Sequence, residues 1–204
     1  YFIPVMLSGS ETSYSSYSIS GNYNKFINND IKGGYISVSL YGSGSSSRIQ
    51  GNEFIKNNIY DMYYYGFRSY YDENTLYQHN FIHDMGSTNG YAIYRYYGVG
   101  AKIDGNIIHP GQYGIRTYYE NNYSQSSSTE ITNNMISNFQ NGSYNRAMYL
   151  YYYNYNLKIY HNNIWSNGSN TSYTASAIYL YYPRYPDVKN NMVLCTGQSM
   201  CMTM

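Results

Sequence analysis

The chain has 204 residues, enough for one domain, and only 11% of them are charged, with a formal net charge of +1. This near balance leaves no basic patch, so we predict no nucleic-acid partner. No run of about 18 apolar residues occurs, which argues against a membrane-spanning helix. Tyrosine is far more frequent than usual, with 33 residues, and its large ring with a polar end suits half-buried strands and contact surfaces.

A short pattern recurs seven times along the chain and predicts the fold. A hydrophobic residue is followed three positions later by Asn, or once by His, and five positions later by another hydrophobic residue. The pattern starts at Phe26, Ile49, Leu76, Ile103, Ile131, Ile159 and Val188. The residues three positions after these starts are Asn29, Asn52, His79, Asn106, Asn134, Asn162 and Asn191. Starts that lie 23 to 29 residues apart are typical of a solenoid.

A second pattern with the same period lies between copies of the first. It reads small residue, hydrophobic residue, two variable positions and a tyrosine pair, as in Ala92, Ile93, Tyr96 and Tyr97. Both segments are short, rich in β-branched and aromatic residues, and bounded by turn-forming residues, which predicts strands and no helix. Because each strand can pair with its equivalents in neighbouring repeats, we predict one all-β domain over residues 1–204, a parallel β-helix of about seven turns.

Side chains alternate across a strand, so the position of Ile93 inside the coil assigns its neighbours to faces. Arg95 falls on the inner side or at its edge. The predicted outward face, a candidate surface for assembly or sugar binding, carries Tyr41, Tyr70, Tyr94, Tyr96, Tyr118, Tyr149, Tyr151, Tyr179 and Tyr181. The Asn or His residues three positions after each start of the first pattern are expected to point inward at turns. There their amides, and the His79 imidazole, would satisfy backbone groups as an asparagine ladder.

These repeats resemble the right-handed parallel β-helix superfamily, the pectate-lyase-like solenoids with asparagine ladders. The resemblance covers residues 24–195 and lies in segments such as IDGNII at 103–108, ITNNMI at 131–136 and IYHNNI at 159–164. It implies a right-handed coil. Its members include polysaccharide lyases and hydrolases, phage tailspikes, adhesins and plain scaffolds, so the resemblance implies no single activity.

The acidic residues do not form a recognisable catalytic set. A lyase would need carboxylates converging on Ca²⁺, and a glycoside hydrolase would need a pair about 5–10 Å apart. Only Asp30 and Glu53 share a repeat position on adjacent turns, whereas Asp72 and Glu73 are sequence neighbours expected in a solvated turn. The four His lie mostly at different positions of the repeat. We therefore predict no catalytic residue, no metal site and no cofactor, with lyase or hydrolase activity as an alternative.

The remaining features bear on location and partners. Cys195 and Cys201 would form a disulfide in an oxidising compartment or remain two buried thiols. Sequons for N-glycosylation occur at Asn122, Asn141, Asn167 and Asn170. The chain begins with Tyr, which suggests a mature product or a segment of a longer chain. We predict a non-catalytic structural protein, extracellular or on a cell surface, that self-associates by end-to-end stacking or through tyrosine faces. A filament is one form that such an assembly would take. The alternative is carbohydrate binding.

Overall fold

A computed structural model describes residues 2–8, 21–141, 144–169, 176–198 and 200–204. Within these residues the chain forms 24 strands and no helix. The strands fall into three long sheets and one two-stranded sheet, and every pair of strands is parallel. The predicted parallel β-helix is therefore confirmed.

The chain passes in each turn of the coil from sheet A to sheet B and then to sheet C. Sheet A contains β1 Val5–Leu7, β4 Ile36–Tyr41, β8 Tyr65–Tyr70, β12 Tyr91–Tyr96, β15 Tyr113–Tyr118, β18 Arg146–Tyr151, β21 Ile178–Tyr181 and β24 Met202–Thr203. Sheet B contains β2 Lys25–Ile27, β6 Glu53–Ile55, β10 Leu76–Gln78, β13 Lys102–Asp104, β16 Thr129–Thr132, β19 Leu157–Tyr160 and β22 Asp187–Lys189. Sheet C contains β3 Asp30–Lys32, β7 Asn58–Tyr60, β11 Phe81–His83, β14 Ile107–Ile108, β17 Met135–Ile136, β20 Asn163–Ser166 and β23 Met192–Cys195. The small sheet pairs β5 Ile49–Gln50 with β9 Asp72–Glu73.

The core is a set of columns in which equivalent inward side chains stack from turn to turn. The sheet A column is Val38, Phe67, Ile93, Ile115, Met148 and Ile178, and each is at most 1% exposed. These six residues are the hydrophobic positions of the second sequence pattern, so the sheet A strands pair in the register that this pattern predicts. Burial of such side chains contributes about 1.5–3 kcal/mol each, which is how one turn stabilises the next.

The asparagine ladder lies at the tight turn between sheets B and C. Its members are Asn29, Asn57, Asn80, Asn106, Asn134, Asn162 and Asn191. Each of the first six donates its backbone N–H and its Nδ2 to Oδ1 of the next Asn, at 2.9–3.0 Å. Six members also donate from Nδ2 to a carbonyl of the preceding turn, as Asn134 does to Ile103 at 2.9 Å. The ladder thus satisfies backbone groups that the turn leaves without strand partners.

Two predicted ladder positions are wrong. Strand pairing aligns Phe54 and Tyr77, rather than Ile49 and Leu76, with Phe26 and Ile103. Asn57 and Asn80 therefore occupy the ladder in place of the two predicted residues. Asn52 is buried elsewhere and accepts the backbone N–H of Asn24 at 3.0 Å, and His79 is exposed at the turn.

The residue before each ladder Asn has a left-handed backbone conformation, with φ between 54° and 65°. This column is Asn28, Lys56, His79, Gly105, Asn133, His161 and Asn190. Asn and Gly adopt this conformation at low cost, which explains four of the seven residues. His is also enriched in this conformation, so the backbone of the turn is compatible with His79 and His161.

Candidate functional site

The outer face of sheet A carries a continuous column of tyrosines. Tyr41, Tyr70, Tyr96, Tyr118, Tyr151 and Tyr181 are in register on successive strands. Neighbouring ring centroids lie 4.8–5.3 Å apart, and most pairs are stacked. Because each ring covers the faces of its neighbours, mainly ring edges and hydroxyl groups reach outward.

A second column beside it is more deeply covered than the sequence indicates. Tyr94, Tyr149 and Tyr179 point off the core as predicted, but Tyr94 and Tyr179 are only 9% and 4% exposed. Arg116 lies between Tyr94 and Tyr149 in the register. Its guanidinium carbon is 5.3–5.9 Å from the ring centroids of Tyr91, Tyr94, Tyr113, Tyr118 and Tyr149. Cation–π contacts of this kind are stabilising, and more strongly so where water is excluded.

The two columns, with Tyr65, Tyr91 and Tyr113, form one outer sheet of aromatic side chains, which we name the tyrosine layer. Burial raises the pKa of Tyr65 to about 12, and burial also raises the pKa of Tyr91, Tyr94 and Tyr118. The phenols therefore stay protonated near neutral pH and can donate as well as accept hydrogen bonds.

The turn after sheet A adds a tyrosine column that sequence reasoning missed. Tyr71, Tyr97, Tyr119, Tyr152 and Tyr182, the second member of each tyrosine pair, have φ between 48° and 57°. Non-glycine residues rarely adopt this conformation, and bulky ones do so at a cost. The repeated pairing of two tyrosines in the sequence was the available signal that the second has a separate position.

A buried ionic cluster lies inside the coil beneath the tyrosine layer. Arg95, Asp72 and Glu120 are all fully buried. Arg95 Nη1 donates to Asp72 Oδ2, its Nη2 donates to Glu120 Oε1 at 2.8 Å, and its Nε donates to Glu120 Oε2 at 3.2 Å. Thr129 Oγ1 donates to Glu120 Oε1 at 2.7 Å. The inner position predicted for Arg95 is observed, whereas the solvated turn expected for Asp72 is wrong.

The environment of Arg95 keeps it charged. Burial lowers the pKa of Arg95, but the carboxylates of Asp72 and Glu120 together outweigh burial and hold that pKa well above its usual value. A Cβ atom at Gly98 would collide with the Arg95 guanidinium and the Glu120 carboxylate. Gly98 therefore makes room for the cluster, which has no route to a substrate.

Comparison with known proteins assigns the family. Residues 15–191 match the family described as right handed beta helix region. The chain belongs to the right-handed beta-helix family. Searches of curated proteins and of solved structures return no significant match.

Asp30 and Glu53, the two carboxylates that share a position in the sequence repeat, lie on different sheets of this beta-helix. Glu53 lies on sheet B and contacts Lys25 at 3.0 Å, whereas Asp30 lies on sheet C and accepts a hydrogen bond from Asn58 Nδ2 at 2.8 Å. Each is thus engaged separately, on a different sheet. In the part of the beta-helix that the structure describes, no three His, Cys, Asp or Glu residues are grouped as metal ligands.

The cysteines and sequons lie near the surface of the beta-helix. Cys195 and Cys201 are free thiols, one half-buried and one exposed, and burial together with a hydrogen bond to Cys201 raises the pKa of Cys195 to about 12. The disulfide stays a prediction. Asn167 is exposed, Asn122 and Asn141 are half-buried, and Asn170 lies outside the described residues. No helix in the described segments is long and apolar enough to cross a membrane.

Proposed function

We propose that this beta-helix is a non-catalytic structural protein that associates with further copies of itself through the tyrosine layer. One observation carries the proposal, the stacking of the outward rings on one another at 4.8–5.3 Å. Stacking uses the ring faces within the chain and leaves a regular array of edges and hydroxyls. A second copy of the chain carries a surface with the same repeat, because the strand spacing of about 4.8 Å sets that repeat in both copies.

The same stacking argues against sugar binding on these columns. A sugar ring binds an aromatic side chain by covering its face, and the faces here are already covered. The outward column rings are half-buried, and a continuous half-exposed aromatic surface favours a partner that covers the rest. The separate engagement of Asp30 and Glu53 supports a non-catalytic role. We also propose an extracellular or cell-surface location, a setting in which the free thiols of Cys195 and Cys201 would be stable once oxidised to a disulfide.

The test is sedimentation velocity on the wild-type chain and on the double variant Tyr118→Ser, Tyr151→Ser. We expect concentration-dependent assembly of the wild type and at least tenfold weaker assembly of the variant, with β structure retained. The matched control is Tyr23→Ser, Tyr185→Ser, which removes two tyrosines that are 69% and 79% exposed outside the layer. Monomeric wild-type protein at high concentration, or equal loss in the control, would refute the proposal.

Carbohydrate binding is a second candidate, at a different place. Tyr185, the most exposed tyrosine ring of the described residues, borders an open groove of about 330 Å³ lined also by Ser126, Ser128, Asn156, Lys158 and Asp187. Lys158 contacts Glu130 at 3.1 Å, and Lys189 contacts Asp187 at 2.8 Å. With its charges paired and an open ring face beside hydroxyl and amide groups, the groove suits a neutral sugar.

Titration calorimetry with neutral oligosaccharides tests this second candidate. We expect binding that Tyr185→Ser reduces at least tenfold and that Tyr185→Phe largely retains, because the ring face provides the contact. The tyrosine-layer variant should bind sugar normally. Unchanged binding by Tyr185→Ser would exclude this groove.

A further inference from the structure

An exposed apolar stripe runs along the outer face of sheet C. Unlike those of the tyrosine layer, its side chains carry no hydroxyl groups. It consists of Phe81, Ile107, Met135, Trp165, Met192 and Leu194, which are 36–64% exposed. Phe81, Ile107 and Met135 are in register on successive strands, and Met192 and Leu194 continue the surface beyond Asn163 and Trp165. We name these six residues the sheet C stripe.

The stripe is a shaped surface rather than scattered apolar residues. Met135, Ser137, Trp165 and Leu194 border a shallow groove of about 160 Å³. Trp165 Nε1 donates to Thr196 Oγ1 at 3.3 Å, which fixes the indole ring at the rim of that groove. Four strand spacings of about 4.8 Å give the stripe a length of about 19 Å.

The area of the stripe fits a dimer interface. Six half-exposed large side chains present roughly 600 Å² of apolar surface, taking about 200 Å² for each whole side chain. A monomer's largest apolar patch is about 300–600 Å², and a stable interface buries about 800 Å² on each partner. The stripe therefore supplies the apolar centre of one side of such an interface, and polar neighbours such as Asn163 would complete it.

The charges around the stripe favour a second copy of this chain over a lipid surface. The stripe carries no ionisable side chain, so two stripes can meet without bringing like charges together. Burial and the nearby His83 lower the pKa of His109, whose ring centroid lies 5.2 Å from that of Phe81, so His109 adds no positive charge at this end at pH 7. On the adjoining sheet B, Lys158 contacts Glu130. With Lys25 and Lys189 paired likewise, three of the four lysines on the sheet B strands contact a carboxylate, which disfavours anionic lipid headgroups.

We propose that the sheet C stripe is a twofold interface between two copies of this chain, independent of the tyrosine layer. In a twofold contact the same patch faces itself. With the twofold axis running across the stripe, the Phe81 end of one stripe would meet the Leu194 end of the other. Two self-complementary surfaces on different sheets would then link dimers into larger assemblies.

Trp165 provides a direct readout, because it is the one tryptophan of the chain. We expect its emission to move to shorter wavelength, and its quenching by acrylamide to fall, as wild-type concentration rises through dimerisation. The variant Met135→Lys, Leu194→Lys should raise the dimer dissociation constant at least tenfold and abolish the emission shift. Ile27→Lys is the matched control, because Ile27 is 46% exposed on sheet B and Met135 is 49% exposed.

Several outcomes would overturn the proposal. These are wild-type mass and emission that do not change with concentration, dimerisation that survives in the double lysine variant, or an emission shift that requires phosphatidylcholine vesicles. The variant Tyr118→Ser, Tyr151→Ser should keep the emission shift. Failure of the stripe and failure of the tyrosine layer are therefore distinguishable.

Discussion

Replacing Arg95 with Leu is expected to lower the free energy of unfolding by about 3–5 kcal/mol. The substitution leaves the carboxylates of Asp72 and Glu120 buried without their cation, and both residues are fully buried. Thr129 and Tyr77 offer only hydroxyl hydrogen bonds to these carboxylates. The nearby Arg48 is close enough for Asp72 and Glu120 to act on its pKa, but its guanidinium donates to the Tyr97 carbonyl and not to either carboxylate. Urea unfolding followed by circular dichroism measures the effect.

A variant that removes all three charges is the control for this prediction. The combination Arg95→Met, Asp72→Asn and Glu120→Gln keeps similar volumes and leaves no unpaired carboxylate in the cluster, so it should recover a large part of the lost stability. If Arg95→Leu alone unfolds within about 1 kcal/mol of the wild type, the buried cluster does not stabilise the coil as inferred.

Replacing Asn134 with Leu is expected to cost about 1–3 kcal/mol, because buried polar groups lose their partners. The Asn106 backbone N–H and Nδ2 both donate to Asn134 Oδ1, at 3.0 and 2.9 Å. The Ile103 carbonyl loses the Asn134 Nδ2 donor at 2.9 Å. Thermal and urea unfolding of the variant would report the loss.

Asn163→Leu is the matched substitution for comparison, since Asn163 is exposed on the next turn. Measured at a concentration where the chain is monomeric, it should change stability by no more than about 0.5 kcal/mol. Equal effects of the two substitutions would show that the ladder hydrogen bonds contribute little.

The repeat predicted the fold because stacking imposes the same demand on every turn. The sheet A register is right at all six positions, since a tyrosine pair marks it in five turns and Tyr41, followed by Gly42, marks it in the first. The first pattern is ambiguous in two turns. IQGNEF at 49–54 fits it as well as the true segment from Phe54 to Ile59. Only the true register places Asn at all seven ladder positions, and that consistency was the missed signal.

The tyrosine layer and the ionic cluster lie at the limit of sequence reasoning. The alternation of side chains along a strand predicted that Tyr94 points outward and Arg95 inward, but it does not predict which rings stack on one another. Asp72 lies in the turn before that of Arg95, and Glu120 lies in the turn after it. Both occupy the repeat position that Gly98 occupies in the turn of Arg95. Asp72, Gly98 and Glu120 each follow a tyrosine pair, a signal that has meaning only once the turns are stacked.

Site-specific photocrosslinking is the most direct test of self-association through the tyrosine layer. A photoreactive phenylalanine analogue at position 118 of the wild-type chain should give crosslinked dimers on irradiation. Mass spectrometry should locate the second attachment site on the outer face of sheet A in another copy. Only monomer at high protein concentration, or crosslinks that map to other faces of the coil, would contradict the proposed function.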